Sequence, residues 1–118
     1  MARLVVADGT VTLALRPLER LEGFHGDLSA PVDAVRGVRA VDDLWPELRG
    51  MRAPGTGWPN VIAVGTRRGS FGKDFAAVHG RGPGVVVELE GQEFQRWVVS
   101  IDDPGPVVAE VSAAGGLG

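Results

Sequence analysis

The chain contains no cysteine, only two histidines and no apolar run long enough to span a membrane. Without cysteine it has no disulfide, no thiolate metal site and no cysteine nucleophile, and we expect a reducing, cytoplasmic location. His25 and His79 lie far apart and lack ligand-spaced neighbours, so we expect no metal centre. A membrane helix needs ~18 or more consecutive apolar residues. The short apolar start of the chain meets Asp8-Gly9 at once, so it does not resemble a signal peptide.

Catalytic motifs are also missing. None of the four serines lies in the pattern G-x-S-x-G. The stretch 69–74 (GSFGKD) resembles half of a phosphate loop, but Arg67 and Asp74 occupy positions where that pattern needs Gly and Ser or Thr. The pairs Asp42-Asp43 and Asp102-Asp103 stand where turns and helix starts favour aspartate. We therefore expect no enzyme activity and no cofactor.

Length and charge bound the remaining possibilities. A chain of 118 residues with 44% hydrophobic residues predicts a single globular domain, over residues 1–112, and a short flexible tail at 113–118. The formal net charge of −3 argues against nucleic acid as a partner, because nucleic-acid readers are usually basic. Arginine outnumbers lysine 11 to one, and Gly, Ala and Val are abundant, which is typical of a GC-rich bacterial genome.

The apolar pattern is mostly that of short strands. Asp8-Gly9 predicts a tight hairpin between strands at 3–7 and 11–16, and Pro17 then begins a helix of about two turns. Residues 28–35 and 35–41 predict extended segments, the second with a bulge at Gly37. Runs at 61–64, 75–78 and 85–89, separated by glycine-rich turns, predict a three-stranded antiparallel meander, and a last strand follows at 94–101. Asp103 and Pro104 predict the N-cap and first position of a C-terminal helix.

Residues 42–60, rich in proline and glycine, predict a long loop with one helical turn at 45–49. Within it, Trp58 has two interpretations: it packs into the core and holds the loop, the reading that we favour, or it is exposed as a contact residue beside Arg52. The predicted core residues share the inward faces of strands and of the last helix: Leu13, Leu15, Val64, Phe75, Val87, Leu89, Trp97, Val99 and Val111.

Several of these stretches together resemble a bacterial PH-like (pleckstrin-homology-like) domain. The similarity rests on GTGWPNVIAVGTRRG followed by KDFAAV, GVVVELEG and WVVSIDDPGPVVAEV, and on the N-terminal TVTLALRPLERLEGFHGDLSAPVDAVRGV. The resemblance implies a mainly β fold, a bent β-sandwich or partly open barrel of about seven antiparallel strands capped by a C-terminal α-helix. It implies a binding or assembly module and supplies no catalytic residues.

Three functions remain open. The first, which we favour, is a non-enzymatic protein-interaction or self-assembly module that binds an unknown protein or a second copy of itself. The second is an anion or lipid-head-group binder, with some contact to a membrane surface, through the turn that carries Arg67, Arg68 and Lys73. The third is a small-molecule carrier or enzyme built on a calycin-like barrel. The candidate ligand- or partner-binding residues are those three cations with Arg52 and Trp58, and we expect a homo-oligomer.

Overall fold

The computed structural model describes residues 2–23 and 26–117, and the side chains of residues 21–23 and 52–54 lie outside that description. In this part of the chain the fold is mainly β with a C-terminal helix, as the sequence predicts, although it has nine strands rather than about seven. The strands are β1 (Arg3–Ala7), β2 (Thr10–Ala14), β3 (Leu28–Pro31), β4 (Val35–Val41), β5 (Met51–Trp58), β6 (Ile62–Gly69), β7 (Gly72–His79), β8 (Gly84–Leu89) and β9 (Arg96–Ser100). The helices are α1 (Pro17–Gly23) and α2 (Pro104–Ala114), and 3₁₀ turns occupy Val32–Ala34 and Trp45–Glu47.

The strands form a three-stranded sheet and a six-stranded sheet. The small sheet has the order β1-β2-β3 and is antiparallel throughout. Its first hairpin turns at Asp8 and Gly9, which both have positive φ angles (53° and 72°). The Asp-Gly prediction for this turn is therefore confirmed, because this dipeptide tolerates that conformation.

The large sheet has the order β4-β8-β9-β7-β6-β5. β6 and β7 form the predicted hairpin, but β8 does not follow as the third strand of a meander. Instead β9 lies between β7 and β8, parallel to β7 and antiparallel to β8. The meander prediction was wrong because turn residues determine where strands end, whereas the neighbour of a strand is decided by packing over long sequence distances. The predicted bulge in β4 is present, with a register shift between Val35 and Gly37.

The largest error of the sequence prediction concerns residues 51–58, which form edge strand β5 and not a loop. β5 pairs with β6 from Met51 opposite Arg68 to Trp58 opposite Ile62, with a register shift between Arg52 and Gly55. Proline and glycine are tolerated here because an edge strand leaves one row of backbone groups outside the ladder. The predicted helical turn in the segment is confirmed at Trp45–Glu47.

The two sheets enclose the main core. All nine core residues predicted from the sequence are buried, and Leu13, Phe75, Val87, Val99 and Val111 have no solvent exposure. Phe75 and Phe94 meet edge to face, with ring centroids 5.5 Å apart. α2 closes this core through Val111, with Val107 and Val108 packed against it.

The opposite face of the large sheet carries a second apolar cluster. Its buried members are Leu44, Ala63, Ala76, Val78, Val86 and Val98, with Val41, Trp45 and Leu48 packed against them. The segment between β4 and β5 thus covers this face. It approaches closely because Gly84 has no side chain: a Cβ there would collide with Leu44 and with the Val99 carbonyl.

The two helix predictions agree with the structure in position and differ in detail. α1 begins at Pro17 as expected and packs on β5 and β6. Asp103 occupies the N-cap position of α2, but its side chain makes no capping hydrogen bond. α2 continues to Ala114, two residues into the stretch predicted as a tail.

Candidate functional site

A groove lies on the covered face of the large sheet, beside edge strand β5. Its volume is about 280 Å³. The lining residues come from the segment before β5, the end of β5 and the start of β6: Trp45, Leu48, Gly57, Trp58, Pro59, Ile62, Ala63 and Arg67. We call it the tryptophan groove, because Trp45 and Trp58 both line it. Its lining side chains are apolar apart from one arginine, which is a composition typical of ligand and partner sites.

Trp45 is held in place by hydrogen bonds at both its backbone and its ring. The indole Nε1 donates to the Gly80 carbonyl at 2.9 Å, and the Trp45 amide donates to Asp43 Oδ1 at 3.1 Å. Asp43 also pairs with Arg81. The prediction that Asp43 serves a turn is therefore confirmed, and this side of the groove is preformed.

Trp58 has a different environment. It is the last residue of β5 and is 69% exposed, so the favoured prediction that it packs into the core was wrong. The tight turn that follows explains this: Val61 N donates to the Trp58 carbonyl at 2.9 Å, and Asn60 takes a positive φ of 63°. Arg81 donates to Asn60 Oδ1 at 2.9 Å and holds the turn.

Two other large apolar residues are exposed on the same strand and turn. Met51, at the other end of β5, is 78% exposed, and Val61 is 55% exposed. We call Met51, Trp58 and Val61 the apolar edge. Exposed large apolar residues along a sheet edge are uncommon in a monomeric domain, because edges are normally short, charged or covered. From the sequence, an exposed Trp58 is only the second interpretation, because residues 51–60 have the composition of a loop.

Charged residues form a row across five strands of the same sheet. Residues directly opposite each other are Glu88 and Arg96, Arg96 and Asp74, Asp74 and Arg67, and Arg67 and Arg52. Signs alternate along this row from Glu88 to Arg67. This row cannot be recognised in the sequence, because it depends on β9 lying between β7 and β8.

Asp74, in the middle of this row, is buried and engaged by a residue from the covering segment. Arg49 binds it through two hydrogen bonds, Nε to Oδ2 at 2.6 Å and Nη2 to Oδ1 at 3.0 Å. This bonding raises the pKa of Arg49 above its ordinary value, despite the opposing effect of burial. The Arg49 guanidinium also lies 4.1 Å from the centroid of the Phe71 ring. Arg49 thus fixes the segment that carries Trp45.

A second set of ion pairs holds the same segment. Arg39 donates a hydrogen bond to the Glu47 carboxylate, and Arg96 Nη1 donates to the Glu47 carbonyl at 3.3 Å. The bond from Arg39 lowers the pKa of the Glu47 carboxyl, an effect that the partial burial of Glu47 opposes.

The structure separates the three cations of the predicted basic turn. Arg67 lines the groove and donates to the carbonyls of Arg49 and Gly50 at 3.1 and 3.0 Å. Arg68, the next residue on the strand, is exposed and lies opposite Lys73 in the ladder. Lys73 pairs with Glu93 at 2.8 Å and lies over the Phe94 ring. The stretch 69–74 forms a hairpin turn and the start of β7, without the strand-loop-helix arrangement of a phosphate loop.

Of the five candidate residues, Trp58 and Arg67 are brought together in the groove. Arg68 and Lys73 lie toward the tip of the β6–β7 hairpin. Arg52 lies opposite Arg67 in the backbone register, and its side chain is outside the described residues.

The histidines add no metal site within the described part of the chain, where no cluster of three or more potential ligands occurs. His79 Nδ1 lies 3.5 Å from Oε2 of the buried Glu19. The other oxygen of Glu19 accepts a hydrogen bond from the Arg16 amide at 2.9 Å at the start of α1, a capping role that the sequence analysis did not detect. His25 is outside the described residues.

Comparison with known proteins leaves the site to be interpreted by its geometry. No family model, no curated protein and no solved structure matches this chain. Among the described helices none is long and apolar enough to cross a bilayer.

Proposed function

We propose that the protein is a non-enzymatic protein-interaction module that uses the apolar edge and the tryptophan groove as its contact surface. The observation that carries this proposal is the exposure of Trp58 at the end of an edge strand. Tryptophan is among the commonest anchors of protein interfaces, and an edge strand offers backbone groups to a partner. The bacterial, cytoplasmic and PH-like character expected from the sequence belongs to the same proposal, supported by the arginine bias, the lack of cysteine and the mainly β fold with its C-terminal helix.

Covering the exposed Trp58 ring would contribute a large part of the free energy of binding a partner. A tryptophan side chain buries ~150–250 Å² on full burial, and Trp58 still exposes 69% of its surface. At ~25 cal/mol per Å², covering the remainder contributes roughly 2.5–4 kcal/mol. Such a gain is absent from the free protein and becomes available only when a partner covers the surface.

The anion-binding alternative has weaker support in the geometry. Arg67 and Lys73 are both engaged with neighbours in the same chain, and Arg68 lies on a different side of β6 from Arg67. A phosphate site built from all three cations would need to draw Arg67 away from two backbone carbonyls.

Photo-crosslinking tests the proposal. The photoreactive residue p-benzoylphenylalanine replaces Trp58 in one variant and Val5, an exposed residue on the small sheet, in the control. Both variants are irradiated in the cells from which the protein comes. We expect a discrete adduct from position 58 and none from position 5. An adduct of twice the chain mass assigns the surface to self-assembly, and an adduct of another mass assigns it to a different protein. No adduct at position 58, or the same products from both positions, would refute the proposed surface.

A further inference from the structure

The register shift within β5 makes the apolar edge complementary to itself. We propose that the partner of this edge is a second copy of the chain, bound along β5 in the antiparallel direction. Met51 of each copy then packs on Trp58 of the other copy around a two-fold axis. This inference rests on the proposed function and adds to it the identity and the orientation of the partner.

The ladder between β5 and β6 places Met51 and Trp58 on one face of the large sheet. Met51 lies opposite Arg68, and Trp58 lies opposite Ile62. Side chains directly opposite each other share a face, and positions 62 and 68 share a face because an even number of residues separates them. Positions 51 and 58 are an odd number of residues apart, so an unbroken strand would send their side chains to opposite faces. The register shift within β5 brings them to the same face.

A two-fold axis perpendicular to the sheet uses this arrangement directly. Such an axis keeps each side chain on its own face and reverses the direction of the strand. It therefore brings Met51 of one copy beside Trp58 of the other and generates the same contact again at the far end of the strand. The flexible thioether of methionine packs favourably against an aromatic ring. One strand thus supplies both halves of a contact that repeats by symmetry.

The two edges of the large sheet differ, and the difference favours a closed pair of copies. β4, at the other edge, exposes Arg36 and Arg39, and both arginines form ion pairs. Charged side chains of this kind protect an edge from pairing with another strand. A contact of β5 with β4 would also repeat without end, whereas β5 against β5 occupies the same edge of both copies. We therefore expect a dimer and not a filament.

Charge favours the antiparallel orientation over the parallel one. Arg68 lies opposite Met51, at the end of β5 away from Trp58. A parallel arrangement would bring this arginine of both copies together, and like charges at opposed positions destabilise a sheet. The antiparallel arrangement separates them by the distance from Arg68 to Ile62 along β6, which is roughly 20 Å at ~3.3 Å per residue. That distance exceeds the Debye length of ~8 Å at physiological ionic strength.

The size of the contact indicates a weak and reversible dimer. Trp58 is 69% exposed, which leaves roughly 100–170 Å² of a tryptophan side chain for a partner to cover. Met51 is 78% exposed. A contact confined to one strand of eight residues belongs to the interfaces below ~1,200 Å² of total area, which are weak or transient. Pro54 has no amide hydrogen to donate, so the contacts at the two ends of the strand contribute most of the affinity.

An exchange of charges at the two positions tests the arrangement. Met51→Glu, Trp58→Lys and the parent are compared by sedimentation velocity over a series of protein concentrations. We expect the parent to dimerise and each variant alone to dimerise at least ~tenfold more weakly. In an equimolar mixture the new carboxylate of one chain faces the new ammonium of the other, and the second contact remains native. A one-to-one dimer should therefore return, with an affinity within about threefold of the parent.

Val5→Glu is the matched control, because it places the same charge on an exposed apolar residue at the edge of the small sheet. It should leave the dimer affinity unchanged. Circular dichroism checks that every variant is folded. A second measurement needs neither charged variant: p-benzoylphenylalanine in place of Met51, irradiated in the purified protein, should crosslink to the peptide of the second copy that contains Trp58.

Four results would overturn the inference. A single 12.4 kDa species at every concentration excludes the second copy as the partner. Undiminished dimerisation of Met51→Glu or Trp58→Lys, or an equal loss with Val5→Glu, excludes the proposed contact. A mixture that does not recover, or a crosslink from position 51 to position 51, excludes the antiparallel orientation. A monomeric chain that still gives a foreign adduct at position 58 in cells refutes this inference alone, whereas the lack of any adduct there refutes the proposed function.

Discussion

The ion pair between Arg49 and Asp74 should be strongly asymmetric when its partners are removed one at a time. The Asp74 side chain is 2% exposed, whereas that of Arg49 is 35% exposed. Arg49→Met therefore leaves a carboxylate in the interior, for which breaking a buried pair costs ~3–5 kcal/mol. Arg96 and Arg67 flank Asp74 in the ladder and offset part of that cost, so we expect a loss of about 2–4 kcal/mol in the free energy of unfolding. Asp74→Asn should cost only about 1–2 kcal/mol, because the guanidinium then turns to water.

Urea unfolding followed by tryptophan fluorescence and circular dichroism measures these changes. The double variant Arg49→Met/Asp74→Asn leaves no unpaired charge, so its loss should be about 2 kcal/mol smaller than the two single losses combined. Arg3→Met, on an exposed arginine of the small sheet, serves as the control and should change stability by less than ~0.5 kcal/mol. Equal losses for the two single variants, or additive losses in the double variant, would refute the idea that the buried Asp74 carboxylate depends on Arg49 as its partner.

Four further predictions concern the core, the surface, pH and assembly. Phe75→Ala should cost roughly 3–5 kcal/mol in urea unfolding, because the ring is fully buried; a melting temperature within a degree of the parent would contradict this. Trp58→Ala should change stability by less than ~0.5 kcal/mol, since its ring lies mostly in solvent; a large loss by the same measurement would mean that the ring holds the strand. Because the Arg39 hydrogen bond lowers the pKa of Glu47 in the folded state, this pair stabilises the fold above pH 4.5, and the stabilisation is lost as the pH falls through the folded-state pKa. The difference in unfolding free energy between the parent and Glu47→Gln should therefore shrink in acid. Sedimentation should show dimers or larger species at high protein concentration, and a single 12.4 kDa species throughout would refute self-association.

The sequence predicted the local features of this fold and the composition of its core. Alternation in β2 indicated which of its side chains point inward, because a strand has only two faces, and the apolar runs at 75–78 and 85–89 indicated buried strands. Asp8-Gly9 and Pro17 predicted a turn and a helix start for equally local reasons. These signals depend only on a few neighbouring residues, so one sequence without homologues is sufficient to predict them.

The arrangement of the large sheet and the site at its edge did not follow from such signals. β5 has a loop-like composition and becomes a strand only because β6 supplies its partner. Trp58 was assigned to the core on the strength of nearby apolar residues, and its exposure depends on the turn at Asn60. The charged row exists only because Arg96 lies beside Asp74 in the sheet. These residues are about 20 positions apart in the sequence, and turn residues do not predict which distant strands pair.

The insertion of β9 between β7 and β8 has a consequence for biosynthesis. β7 and β8 are made before the strand that separates them, so each has an unpaired, largely apolar edge until residues 96–100 have been made. Non-local pairing of this kind slows folding, and exposed strand edges promote aggregation. The centre of the large sheet therefore stays unfinished until about four fifths of these 118 residues have been made, and truncation before β9 should yield an insoluble product.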